Sequence, residues 1–144
     1  MLFLEKNEML KITLVGCLLI VMTTIIHSVL TRMSYTYLES RMSTTRVQRI
    51  ISMEVIVLMI ILAALIEASL WAGCYLLIGA FQTGEEALYF SLVTFSTLGY
   101  GDVVLTQSYR LLGGFEAANG IIIFGWSTAI LVDALQRLRG VPPK

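Results

Sequence analysis

Charge is scarce in this sequence and balanced where it occurs: ten Lys plus Arg stand against ten Asp plus Glu in 144 residues. That balance excludes the basic excess with which proteins hold nucleic acid. Cysteine is nearly absent, and Cys17 and Cys74 both fall inside apolar runs, where a thiol behaves as a small hydrophobe. Neither a disulfide framework nor a redox compartment follows from them. Also lacking are a metal-ligand cluster, a nucleophile spaced with a base, and a phosphate-binding loop, so the sequence offers no enzyme chemistry and no organic cofactor site. No small-residue cleavage pattern follows the first apolar run, which reads as a retained segment.

What the chain has in abundance is apolar surface. Hydrophobic residues make up 57% of it, and the mean hydropathy is +0.82, more than a soluble domain of this size can bury. The fold class expected is an all-α membrane protein. A helix needs about 20 apolar residues to cross the hydrocarbon core, and three stretches qualify: about 10–31, 50–81 and 109–138. Between the second and third lies 87–96, apolar but too short to cross, which reads as a re-entrant helix whose ends must be satisfied by protein or water.

The positions of the charges orient these spans. Arg32, Arg41, Arg46 and Arg49 cluster between the first two, and Arg137, Arg139 and Lys144 follow the third. Both regions should be cytoplasmic, which puts the N-terminus outside, the C-terminus inside, and the re-entrant segment with Glu85 and Glu86 on the outer side. The arginines are not spaced at every third position and the first span carries no Lys or Arg, so an arginine-helix voltage sensor is excluded. Anionic lipid headgroups at the cytoplasmic face are the partners these arginines suit.

Between the re-entrant segment and the third span the sequence reads STLGYGD, residues 96–102. In an ordinary strand successive carbonyls point to opposite sides. Where alternate residues take positive φ they can turn the same way, and Gly99 and Gly101 do so without steric cost. Four such strands about one axis would stack cages of oxygen that replace the water shell of a cation. Thr97 would add its hydroxyl, with Leu98 and Tyr100 directed away from the axis to pack behind. Thr83 and Gly84 suit the start of the preceding helix, and Glu85 and Glu86 favour its positive end.

EALYFSLVTFSTLGYGD resembles the pore helix and selectivity filter of potassium channels, whose filter reads TVGYG or close variants, and the likeness runs to about residue 135. The resemblance implies a small bacterial pore-only type with an extra N-terminal helix, in the plasma membrane, passing K+ as its permeant ion. By it, Thr97, Leu98, Gly99, Tyr100 and Gly101 line the ion sites, and Asp102 sits at the outer mouth bonded to Tyr89. Gly120 falls at the hinge of the inner helix, and Ile121, Phe124 and Thr128 face the cavity. Leu98 stands where valine is commonest, and Val93 stands where some bacterial channels place a glutamate that braces the filter aspartate.

Three ionisable residues inside the spans are candidates for proton sensing: Glu67, Glu116 and His27. Glu67 suits a bond to Glu116, Asn119 or Trp71, and His27 matches Glu54 in depth from the cytoplasmic side. Glu116 reads as a brace behind the filter. Asp133 suits a helical pair with Arg137. One copy of the motif in each chain requires a homotetramer. The expected organisation is an outer helix and basic loop over 1–49, a pore domain over 50–138 (outer helix 50–81, pore helix 84–96, filter 97–102, inner helix 109–138), and a tail over 139–144. A weakly selective cation channel and a non-conducting membrane subunit are the alternatives, and a four-repeat potassium transporter would need a far longer chain.

Overall fold

Long runs of apolar, helix-favouring residues free of proline become four helices. The structure, a computed structural model, describes residues 2–40 and 45–139. Arg41 and the tail beyond Arg139, with Lys144, lie outside the described residues. In order come α1 (Leu2–Glu39), α2 (Arg46–Leu77), α3 (Gly84–Phe95) and α4 (Arg110–Leu138). Three of them, α1, α2 and α4, are long and apolar enough to cross a membrane, which makes this an all-α, multi-pass membrane protein.

Helix ends follow local chemistry more than hydropathy. Thr45 and Gln48 form a capping box, so α2 starts at Arg46, ahead of its apolar run. It stops at Leu77 although the apolar run continues to Phe81. Gly79 there takes φ +71, its N–H meets the Leu76 carbonyl at 3.0 Å, and the Ala80 N–H meets Tyr75 at 2.8 Å, the paired bonds of a Schellman turn. At 38 residues α1 is about 57 Å long, far beyond the apolar stretch that signals it.

One face of α1 is buried through Gly16, Leu19, Thr23, His27, Ser34 and Leu38, at helical spacing. The opposite face, Leu14, Leu18, Val21, Ile25 and Val29, is exposed, as suits lipid. On the buried side α1 runs antiparallel to α2, with Leu38 level with Ile56, Ser34 with Met59, and His27 with Glu67. It runs parallel to α4, with Gly16 beside Phe115, Thr23 beside Asn119 and His27 beside Ser127. The larger apolar core gathers where α2, α3 and α4 meet: Trp71, Tyr75, Phe81 and Phe90 pack there, with the Tyr75 and Phe90 rings 5.3 Å apart, edge to face.

Candidate functional site

Helix α3 and the segment that follows it hold the residues with special backbone. Thr83 caps the helix by accepting from the Glu86 N–H at 3.2 Å, and Glu85 and Glu86 occupy its first turn. At the other end the Thr97 N–H donates to the Thr94 carbonyl at 2.9 Å and the Leu98 N–H to Val93 at 3.0 Å. That is again a Schellman turn, but its left-handed position, normally glycine, is Thr97 with φ +60. Gly99 and Gly101 follow at +59 and +79. Positive φ thus falls on every second residue from Thr97 to Gly101. A Cβ added at Gly99 or Gly101 would meet nothing within 4 Å, so within one chain these glycines serve conformation and not room.

The segment is tied from both sides. At its C-terminal end the Tyr89 hydroxyl donates to Asp102 at 2.6 Å. That bond holds the Asp102 carboxyl below the usual carboxylate range and raises the Tyr89 phenol above its own. Behind α3, the buried Glu116 of α4 accepts from the Tyr75 hydroxyl of α2 at 2.7 Å, and its other oxygen bonds Ser91 of α3. Ser91 also lies 2.6 Å from the Ala68 carbonyl. One carboxyl therefore joins three helices. At the foot of α3, Gly120 lets α4 approach so closely that a Cβ there would stand 1.9 Å from the Phe95 carbonyl oxygen. Close approach supplies a reason for glycine at 120 that is independent of hinging.

Other expected contacts differ. Leu98 and Tyr100 are 55% and 67% exposed, so the packing expected behind the segment is not supplied within one chain. Ile121, Phe124 and Thr128 share the exposed face of α4, opposite the buried row of Glu116, Asn119, Ile123, Ser127 and Ile130. Asp133 is paired with Arg137 at 2.9 Å, the helical pair that the spacing favours.

His27 meets Glu67, not Glu54: Nδ1 and Oε1 are 3.1 Å apart and both side chains are buried. The antiparallel register explains it, because the first turns of α2 extend past the end of α1 and leave Glu54 more than three turns from Glu67. The bonds entertained between Glu67 and Glu116, Asn119 or Trp71 do not form. Asn119 donates to Thr23 at 2.7 Å, and Glu67 Oε2 and Trp71 Nε1 have no partner among the described residues. Sequence reasoning missed Tyr75, Ser91, Thr23 and Ser127 as members of these networks, since nothing in a hydroxyl's position along the chain reveals which helix it will face.

Among the described residues no group of three or more His, Cys, Asp or Glu is placed to hold a metal ion. No curated protein and no solved structure matches the chain. A family model described as "Ion channel" matches residues 54–137, from the first turns of α2 to the end of α4, more than half of the sequence. By that match the chain belongs to the ion channel family.

Proposed function

We propose that four copies of this chain form a potassium-selective channel, with α3 as a re-entrant pore helix, 97–101 as one strand of the filter, and α4 as the inner helix. The observation that carries this reading is the alternation of positive φ at Thr97, Gly99 and Gly101, the backbone pattern a row of like-facing carbonyls requires. Dehydrated K+ would pass between four such rows, coordinated by backbone oxygens and, at the inner end, by the Thr97 hydroxyl. The strain at Thr97 supports a role for that hydroxyl, because a glycine would take the same backbone at lower cost.

Fourfold assembly is supported by what one chain leaves bare. Tyr100 and Leu98 project from the strand without cover, and Ile121 and Phe124 are exposed on α4, where neighbouring copies and a shared cavity would meet them. Orientation with the N-terminus outside agrees with the antiparallel course of α2 and α4, which brings Arg49 at the start of α2 to the Leu138 carbonyl at the end of α4 at 3.0 Å, so that both arginine-bearing ends lie on one side. At that end Arg46, Arg49 and Arg139, outnumbering the single acid Glu54, line a groove of about 380 Å³ together with Ile50, Met53 and Leu135, which suits an anionic lipid at the cytoplasmic face.

The test is the reversal potential of the purified protein in planar bilayers under opposed potassium and sodium gradients. Reversal near the potassium potential with block by barium is the expected result. Reversal near zero with clear currents would replace this reading by a weakly selective cation channel, and a correctly assembled protein that carries none under any pH or lipid would make it a non-conducting subunit.

A further inference from the structure

Helix α1 precedes the segment that the family model covers, yet its buried face is built around an ionisable side chain. His27 and Glu67 are 2% and 0% exposed, 3.1 Å apart, at the seam of α1 with α2. The second ring nitrogen of His27 faces the Ser127 hydroxyl of α4 at 3.4 Å, and the Trp126 ring stands edge-on to the imidazole with centroids 5.1 Å apart. One residue of α1 thereby touches both helices that α1 packs against.

The proton count of this pair decides its charge. With one proton between the two groups the pair is neutral overall, whether as imidazole with carboxylic acid or as imidazolium with carboxylate. A second proton leaves a buried cation, and loss of the first leaves a buried anion. No ion pair among the described residues joins either group to a third charge. Among the described residues His27 meets Glu67 from α2 and Ser127 and Trp126 from α4. Of the other acids on α2 and α4, Glu116 is bonded to Tyr75 and Ser91, Asp133 is paired with Arg137, and Glu54 is more than three turns from Glu67, while Glu39 on α1 is more than three turns from His27. The buried Glu67 Oε2 meets no hydrogen-bond donor among the described residues. Removing one partner of a buried pair is costly because the remaining charge stays unsolvated.

We propose that the His27–Glu67 pair is a one-proton clamp: it docks α1 on α2 and α4 while it holds a single proton, releases α1 when it gains a second or loses the first, and so regulates the channel from outside the pore. The clamp stands on the buried geometry alone, and its regulatory part rests on the channel reading above. Either change in proton count would unseat α1, so docking is expected to weaken toward acid, toward alkali, or both.

Leu19, buried on the same face of α1, and Cys17, exposed on it, provide the measurement. In vesicle-reconstituted Leu19→Cys protein with Cys74→Ser, the labelling rate at residue 19 by a lipid-soluble maleimide is taken relative to Cys17, which cancels the thiol's own pH dependence. Across about pH 5 to 9 the ratio is expected to be lowest on a plateau and to rise about tenfold on at least one limb. In His27→Gln/Glu67→Gln, whose amides bond across the same gap without charge, it should stay low and flat, which also shows that α1 is still docked. A ratio unaffected by pH in the parent, or the same profile in the double variant, overturns the clamp. Potassium flux over the same range separates the two claims: labelling that moves while no variant conducts keeps the clamp and sinks the channel reading. Flux with one pH profile in parent and double variant removes the regulatory part.

Discussion

The Phe95 carbonyl at the foot of α3 faces Gly120 of α4 with no space for a side chain between them, a Cβ at 120 falling 1.9 Å from the oxygen. Backbone cannot yield as the tip of a flexible side chain can, so Gly120→Ala must push α3 and α4 apart, at a cost on the order of 1–3 kcal/mol or more. Because Phe95 lies just ahead of the Thr97 turn, the displacement reaches the segment proposed to bind the ion. The expected outcome is a lower melting temperature of the assembled protein together with weaker binding of K+, measured as loss of potassium-dependent thermal protection. A hinge role alone would alter opening and leave that protection unchanged.

Glu116 answers two hydroxyls, and the number of protons available constrains which variants survive. Ser91 has one proton and lies against both the Ala68 carbonyl and Glu116. If Ser91 donates to Ala68, the contact with Glu116 must be completed by a proton on the carboxyl. Glu116→Gln supplies such a donor and keeps an acceptor for Tyr75, so it should assemble and melt close to the parent. Glu116→Ala strands the Tyr75 hydroxyl in the core and leaves Ser91 only the Ala68 carbonyl, which should cost about 1–3 kcal/mol, seen as failure to form stable oligomers in detergent. A Gln variant as damaged as the Ala variant would show that the charge, not the bonding, matters here.

The parts of this architecture that were legible in the sequence are those governed by solvent. Three apolar runs announce α1, α2 and α4 because lipid demands them, and the short run before STLGYGD announces α3 by being too short to cross. Gly99 and Gly101 betray positive φ because glycine has little other reason to alternate there. Thr97, which shares that conformation, gave no such signal, since threonine is not a residue chosen for it. Nor could periodicity give the interhelical register. Sliding α1 by whole turns along α2 keeps its apolar residues on one face, so periodicity leaves the register open, and His27, which matches Glu54 in depth, lies against Glu67 more than three turns away. Helix pairing in membranes is fixed by such specific contacts more than by burial.

Tyr89 and Asp102 make a bond with a pH window whose sign is set by both partners. The Asp102 pKa is lowered by the Tyr89 hydroxyl, so its contribution is present above the ordinary aspartate value and is lost as pH falls through the depressed one. The Tyr89 pKa is raised by the same bond, so its contribution is present below the ordinary tyrosine value and is lost as pH rises through the raised one. Tyr89→Phe should therefore return Asp102 toward an ordinary carboxylate and move the acid limb of segment stability to higher pH. Carbon-13 chemical shifts of the Asp102 carboxyl, followed through an acid titration in parent and variant, measure this. Coincident titration curves would show that the hydroxyl does not hold the carboxylate.

Thr97 sits where a Schellman turn ordinarily takes glycine, and the left-handed backbone costs a residue with a Cβ about 1–2 kcal/mol. Thr97→Gly removes that strain, so the local turn should become easier to form and the protein should express and assemble as well as the parent or better. What it removes besides is the hydroxyl proposed to face the inner end of the ion path. Stability and ion handling are thus expected to move in opposite directions: a melting temperature in sodium no lower than the parent's, and a potassium-dependent rise in melting temperature that is smaller. Thr97→Ser, which keeps the oxygen and gives up the methyl, should retain most of the potassium effect. If the glycine variant kept the full effect, the strain at Thr97 would have to be assigned to packing against a neighbouring copy and not to the ion.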